Sequence, residues 1–304
     1  MFHLHCQHHS MCRSDVWRLS YKSATPESKP SSKRLTMLRI ILTATLLLAT
    51  ALAAASSLET IQRSGTIVIG VRDSSPPFSI LDPQTRVLKG YDIEFAQGIA
   101  KRLNVKPIFK TLESNDRLPW LKQNKADIVV AVLSRTPERD KEIDFSVGYF
   151  VTDTRVLAKK GRFNSEKDLA GAHLSAVTAS TGAKLLRQNF PKTKLAEFDD
   201  VPEMIKALTA EVVDGVVDDA PVLAMALNKM PEAQRSRFAL SDFSLALEIY
   251  AVGIPKGEKA LQAAINNALV DMEKSGEALA IFNRWFGPNS SAPIQRIFTI
   301  NPSK

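Results

Sequence analysis

From residue 56 onward the chain alternates short apolar runs, rich in Val and Ile, with longer stretches in which apolar residues return every three or four positions. The runs at 66–71, 107–110, 127–133, 172–177, 194–198 and 215–217 have the length of buried strands. The stretches at 92–103, 118–123, 183–190, 201–210 and 220–227 have the period of helices with one face toward a core. Pro202 falls in the first turn of 201–210, where its missing N–H is no loss. In 92–103 the stripe is Ile93, Ala96, Ala100 and Leu103, and Asp92 stands where an N-cap would accept backbone N–H bonds. Two closing helices are expected at 259–275 and 277–285, the first carried by Leu261, Ile265, Leu269 and Met272. Such alternation predicts an α/β fold with largely parallel sheets. No internal repeat or low-complexity linker interrupts it.

The first 55 residues follow a different pattern. Arg39 precedes an apolar run from Ile40 through Leu52, followed by the small residues Ala53, Ala54 and Ala55, so 37–55 reads as a signal peptide cleaved before Ser56. Residues 1–36 read as a non-native or unstructured extension ahead of it, with Met37 as the true start. The run is short for a spanning helix, which needs about 20 apolar residues. Export to the Gram-negative periplasm is the expectation, as a soluble protein, because no cysteine stands at the cleavage point to take a lipid. Both cysteines, Cys6 and Cys12, and four of the five histidines lie upstream of the signal. A metal site built on Cys6, His8, His9 and Cys12 is therefore not expected, and none is assigned elsewhere. The whole chain carries 40 bases against 32 acids, but residues 1–55 hold seven of the bases and only Asp15 and Glu27, leaving 33 against 30. That balance argues against nucleic acid or a membrane surface as partner.

Gly90-Tyr91-Asp92-Ile93-Glu94-Phe95, followed by Ile99, Ala100 and Leu103, resembles the signature of the bacterial extracellular solute-binding proteins that capture polar amino acids, family 3. The likeness runs over roughly 57–300, and Ala292-Pro293-Ile294-Gln295-Arg296-Ile297 is similar to the tail of the glutamate/aspartate-binding branch. It implies an α/β two-lobe periplasmic binding protein of type II, the Venus-flytrap form, with two crossing hinge strands at 154–159 and 248–255. Lobe one would comprise 56–152 and 251–304, and lobe two 153–250. The product would be a monomeric carrier without cofactor. It would close around an amino acid, glutamate or aspartate by its branch, and deliver it to the membrane permease of an ABC importer.

The candidate ligand residues follow residue by residue. Ser134 and Arg139, in Ser134-Arg135-Thr136-Pro137-Glu138-Arg139, match the hydroxyl and arginine that grip the α-carboxylate, and a guanidinium does offer two parallel donors to a carboxylate. Read alone, Arg139 would instead pair with Glu142 or Asp144 on a helix surface. Asp218 and Asp219, at the end of 215–217, match the carboxylate for the α-ammonium. Pro221 favours Asp219 and the acidic-ligand branch favours Asp218, with the other acid expected to cap the following helix. Ser180 and Thr181, ahead of the 183–190 helix, match a small hydroxyl turn whose free N–H groups suit a carboxylate oxygen. Arg72, Ser114 and Arg117 match the two arginines and the serine that the acidic-ligand branch places around a side-chain carboxylate, since a second buried negative charge needs compensation. Two positions depart from that branch: Val132 replaces a serine, and Asp200 falls near a histidine that touches ligand there, where it would repel a carboxylate.

Two other functions remain open to the same sequence. A periplasmic cyclohexadienyl dehydratase would use the scaffold as an enzyme and needs a carboxylic acid in the cleft, for which Glu248 is the candidate by position. A sensory module would need a later transmembrane or kinase segment, and none is visible.

Overall fold

The computed structural model describes residues 57–301. The expected extension 1–36, the signal peptide 37–55 and the Cys6 to Cys12 cluster lie outside the described residues. Among the described residues no helix is long and apolar enough to cross a membrane.

Helix α1 (Ser57–Ser64) leads into β1 (Thr66–Val71), after which a small antiparallel sheet of β2 (Ser74–Ser75), β3 (Ser79–Leu81) and β4 (Leu88–Lys89) delivers the chain to α2 (Tyr91–Arg102). Next come β5 (Lys106–Thr111), α3 (Arg117–Lys122), β6 (Ile128–Val129), α4 (Arg139–Glu142) and the long β7 (Asp144–Lys159). A second alternation follows: β8 (His173–Val177), α5 (Thr181–Asn189), β9 (Lys194–Phe198), α6 (Val201–Thr209), β10 (Gly215–Asp219), α7 (Ala220–Lys229) and α8 (Glu232–Arg235). The chain ends through β11 (Phe238–Leu240), β12 (Ala246–Ile254), α9 (Lys259–Lys274) and α10 (Glu277–Phe286).

The main sheet runs β5-β1-β6-β12-β7-β10-β8-β9, with β11 also on β7. Pairing is parallel in β5-β1-β6 and again in β10-β8-β9, as the alternating pattern predicts. Between the two parallel groups, β7 and β12 pair antiparallel, from Asp144 opposite Ile254 to Thr154 opposite Ala246. Residues 154–159, expected to cross, are only the downstream end of β7 and pair with β10 and β11. The strand that contains them begins ten residues earlier, at Asp144, with only Ile143 between it and α4.

One expectation fails in part. The apolar run 127–133 yields only Ile128–Val129 as strand, because the chain turns left-handed at Val132, with φ 49°. Beyond the turn, Ser134 forms a lone bridge to Tyr250.

An aromatic cluster locks the crossing strands to the helices behind them. Phe150 of β7 packs edge-on against Phe78 at 4.9 Å, lies 5.6 Å from Tyr250 of β12, and meets Phe286 of α10 at 4.9 Å. Tyr91 and Phe95 of α2 join at 4.6 Å, and the Tyr91 hydroxyl donates to the Tyr149 carbonyl at 3.0 Å. Gly90 makes this approach possible: at φ 146° it sits against the backbone of Phe78, and a Cβ there would lie 2.0 Å from the Phe78 carbonyl oxygen.

Gly90 is also the N-cap of α2, so Asp92 is not. The acid lies one residue inside the helix, fully buried. Its two carboxylate oxygens reach away from the helix start to accept the Val132 N–H and the Tyr149 hydroxyl, each at 2.8 Å. Burial pushes the Asp92 carboxyl up to about 7, against the pull of those two donors.

A carboxyl whose folded pKa lies above its unfolded value contributes stability that is full below the unfolded value and is lost as pH rises through the folded one. Between pH 5 and pH 8 the wild-type protein should therefore lose about 2–3 kcal/mol relative to Asp92→Asn, whose amide does not titrate. Chemical denaturation of both proteins at the two pH values measures this difference, and parallel curves would contradict it.

Candidate functional site

The cavity that gathers the expected residues lies at the strand ends where the two parallel groups face each other across β7 and β12. It measures about 40 Å³ and is lined by Arg72, Ser114, Arg117, Arg139, Ser180, Thr181, Asp218 and Asp219, eight of the nine candidate residues. Ser134 is the exception. It is buried beside the cavity, and its backbone carbonyl, 2.8 Å from an Arg139 nitrogen, accepts from that guanidinium.

Each arginine comes from the end of an element. Arg72 follows β1, is 2% exposed, and donates to the Leu112 carbonyl at 3.1 Å, to Glu113 at 2.6 Å, to Ser74 Oγ at 3.2 Å and to the Asp199 carbonyl at 3.1 Å. Its Nε is buried with no partner among the described residues. Arg117 opens α3 and donates only to carbonyls: Ser114 at 2.9 Å, Val132 at 2.8 Å, and Ala131 and Ala179 at 3.4 Å. Arg139 opens α4 and donates to Ser134 and, at 3.1 Å, to Ala179. The surface pairing considered for Arg139 is not made: Glu142 binds Lys122, and Asp144 binds Lys256 and Lys259. Among the described residues neither Arg117 nor Arg139 has an acidic group within ion-pair distance, whereas Arg72 is paired with the half-exposed Glu113.

Burial, helped by the charges of Arg139 and Arg72, pulls the Arg117 guanidinium down to about 9; burial also lowers Arg139. These cations are thus held at an electrostatic cost that an anion between them would relieve.

Opposite them, β10 ends in Asp218 and Asp219. The expectation that one caps the next helix fails. Asp219 occupies the N-cap position of α7 without a side-chain cap bond, and Pro221 already occupies the first turn. The Asp218 carboxylate instead accepts the Asp219 N–H at 2.7 Å, and the Asp219 carboxylate accepts the Tyr250 hydroxyl. Burial raises Asp218 to about 6; it raises Asp219 further, with the Asp218 and Glu248 carboxylates adding to the effect. Ser180 is the N-cap of α5, its hydroxyl accepting the Ala183 N–H at 3.0 Å, so Thr181 and Gly182 bring the helix start to the cavity.

Asp200 is not part of this lining. Its carboxylate caps α6 by accepting the Glu203 N–H at 2.9 Å, and the repulsion expected of it does not arise by contact. Val132 does line the cavity. Sequence reasoning missed Thr154, which lines the cavity, and Tyr250, which stands behind the lining and donates to Asp219. Tyr250 shares a buried β12 face with Glu248, while Leu247 and Ile249 on the other face are exposed; the apolar positions 247 and 249 point a sequence reading to the wrong face. Glu248 itself accepts from the Thr154 hydroxyl at 3.2 Å and lies outside the lining.

Arg117 and Arg139, without acids in ion-pair distance, stand on one side and two adjacent carboxyls on the other, a charge arrangement complementary to a zwitterion. The fold is that of the two-lobe periplasmic binding proteins, with β7 and β12 as the crossing strands. Residues 67–288 match the bacterial extracellular solute-binding proteins, family 3, and the chain belongs to that family. It is 30% identical over 234 residues, 75% of this chain and 84% of the other, to the ABC transporter glutamine-binding protein of Bacillus subtilis. To the L-glutamate/L-aspartate-binding protein of Pseudomonas aeruginosa it is 28% identical over 244 residues, 76% of this chain and 80% of the other. Among solved structures, the ancestral amino acid-binding protein AncCDT-1, a precursor of cyclohexadienyl dehydratase, matches with a TM-score of 0.69 at 28% identity, covering 76% of this chain and 99% of that one.

A ligand ammonium set against Asp218 and Asp219 would hold both carboxylates ionised, so binding should expel protons where the pair still carries them. Affinity should therefore fall as pH drops through about 6, by at most roughly tenfold per pH unit for each proton expelled. Titration calorimetry at pH 6 in two buffers of different ionisation heat reads the proton release directly. Zero release would mean that the ammonium does not sit there.

Proposed function

We propose that this protein is the periplasmic substrate-binding component of an ABC importer for amino acids and that its preferred ligand is glutamate or aspartate. The observation that carries the ligand class is the pair of guanidinium groups, Arg117 and Arg139, that line the cavity without an acidic partner within ion-pair distance among the described residues. One serves the α-carboxylate, as the family likeness implies for Arg139; the other serves a side-chain carboxylate, with Arg72 and Ser114 beside it. A neutral amino acid would leave one buried cation without a counter-charge, at a cost of several kcal/mol. Asp218 and Asp219 supply the opposite pole for the ammonium.

Lobe one comprises 56–152 and 251–304, lobe two 153–250, and export through the 37–55 signal precedes folding in the periplasm. The contacts across the cavity support a closing mechanism: Arg117 and Arg139 both donate to the Ala179 carbonyl, and parting of the walls about β7 and β12 would break those two bonds. The closed form is what a permease partner would recognise. The enzyme reading has less support, since Glu248, its candidate acid, stands outside the lining and is held by Thr154.

Calorimetric titration of the ligand-stripped protein against all common amino acids and prephenate tests the assignment. Glutamate or aspartate should bind more tightly than glutamine and asparagine, whose amide NH₂ would face the guanidinium donors. Arg139→Ala should weaken every amino acid by roughly 2–5 kcal/mol. Arg117→Met should narrow the gap between dicarboxylate and amide by on the order of 2 kcal/mol or more. Tighter binding of glutamine or of a basic amino acid by the wild-type protein would overturn the dicarboxylate assignment, and turnover of prephenate would overturn the carrier.

A further inference from the structure

Asp92 belongs to the signature segment at the start of α2 yet does not line the cavity. The ligand reading leaves it without a role, although a fully buried carboxyl is an expensive thing to keep. Its contacts run toward the site. One oxygen accepts the Val132 N–H, the other the Tyr149 hydroxyl of β7. Val132 is β-branched and sits at φ 49°, a region such side chains rarely enter. Its carbonyl, turned by that conformation, is the 2.8 Å acceptor for Arg117. A second carbonyl from the same turn, Ala131, accepts from the same nitrogen at 3.4 Å.

We propose that Asp92 is a positioning residue for ligand capture, holding Val132 in its left-handed turn so that the Val132 carbonyl aims the Arg117 guanidinium into the cavity. The inference rests on the reading of Arg117 as the side-chain clamp. It assigns a task to each contact. The carboxylate supplies the acceptor that makes the strained turn worth adopting, since without it the half-buried Val132 N–H would lose its partner. The Tyr149 hydroxyl fixes the second oxygen, tying the carboxylate to the crossing strand. The short link from Asp92 to Val132 to Arg117 thereby joins the helix packed behind β7 to the cation facing the ligand.

A merely structural Asp92 would affect stability alone, so the test reads Arg117 and the ligand. In the ligand-free protein, the Arg117 Nε–H resonance, assigned by its loss in Arg117→Met, should move or broaden in Asp92→Ala and hold its position in Asp92→Asn, whose amide oxygen still accepts from Val132. Affinity for glutamate and aspartate should drop roughly tenfold or more in Asp92→Ala and by less than about threefold in Asp92→Asn. In a Val132→Gly background, where the left-handed turn carries no side-chain penalty, Asp92→Ala should cost measurably less affinity than in wild type. Should Asp92→Ala fail to fold, Asp92→Ser, whose hydroxyl is too short to span to Val132, takes its place with the same expectations. An unchanged Arg117 resonance together with unchanged affinity in the folded variant would overturn the proposal. If wild type prefers glutamine, the dicarboxylate reading fails, and the Arg117 resonance still decides the positioning role.

Discussion

The antiparallel pairing of β7 with β12 is the constraint on which the rest of the molecule depends. These two strands join two parallel sheet groups, β5-β1-β6 and β10-β8-β9, into one sheet. Alternation along the strands then divides the labour. Phe150 and Tyr250 enter the aromatic cluster, whose edge-to-face and tilted contacts add to the area they bury. The Tyr250 hydroxyl, at the far end of the same ring, reaches Asp219 in the cavity. A tyrosine suits this position because its body is apolar and its tip is a donor, so one side chain can belong to the core and to the polar site together.

The cavity is costly in isolation. Three arginines and two adjacent acids share one lining, with Arg72, Arg117 and Asp219 buried and Arg139 and Asp218 half-buried, and desolvation shifts the pKa values of Arg117, Arg139, Asp218 and Asp219 toward their neutral forms. The protein offsets this with backbone carbonyls, which satisfy guanidinium donors without cancelling their charge. Ala179, itself at φ 56°, accepts from both Arg117 and Arg139 across the cleft. A carboxylate would be a stronger acceptor than a carbonyl for the same nitrogens. On the proposed reading, ligand binding thus replaces a neutral contact by a charged one in a site whose desolvation has already been met by folding, which is how preorganisation raises affinity.

Most elements were legible because they are amphipathic, and the period of their apolar residues survives any tertiary detail. The misses have a common physical form: a polar group satisfied by a distant partner in place of a local one. Asp92, read as a cap, bonds to Val132 and Tyr149, 40 and 57 residues away. The run 127–133 is apolar enough for a full strand, but the left-handed turn at Val132 is stabilised by that same acid, which no local pattern reveals. The helix after Asp218 and Asp219 has Pro221 in its first turn, and the Asp219 carboxylate takes the Tyr250 hydroxyl, 31 residues away in sequence. Asp200, by contrast, does what its local sequence dictates and caps α6, so the likeness that drew it toward the ligand was the weaker guide. Eight of the nine candidate residues nevertheless meet in one cavity, since they occupy strand ends and helix starts, and a parallel sheet gathers those on one edge.

That division explains why the family is far easier to fix than the ligand. The crossing strands, the aromatic cluster and the Gly90 turn specify a hinged pair of sheet groups whatever the cleft contains, and relatives named for glutamine and for glutamate or aspartate share 30% and 28% of residues with this chain almost indifferently. Overall identity is dominated by positions that build the scaffold. Ligand choice rests on whether a few cavity charges have partners, a property of geometry to which identity contributes little. Arg72 illustrates the distinction: it lines the cavity, but Glu113 at 2.6 Å already answers its charge, so its presence in the sequence overstates its free positive charge. Arg117, answered only by carbonyls, carries the stronger claim on an anion, and on the proposed reading that difference weighs more than the number of arginines in the cleft.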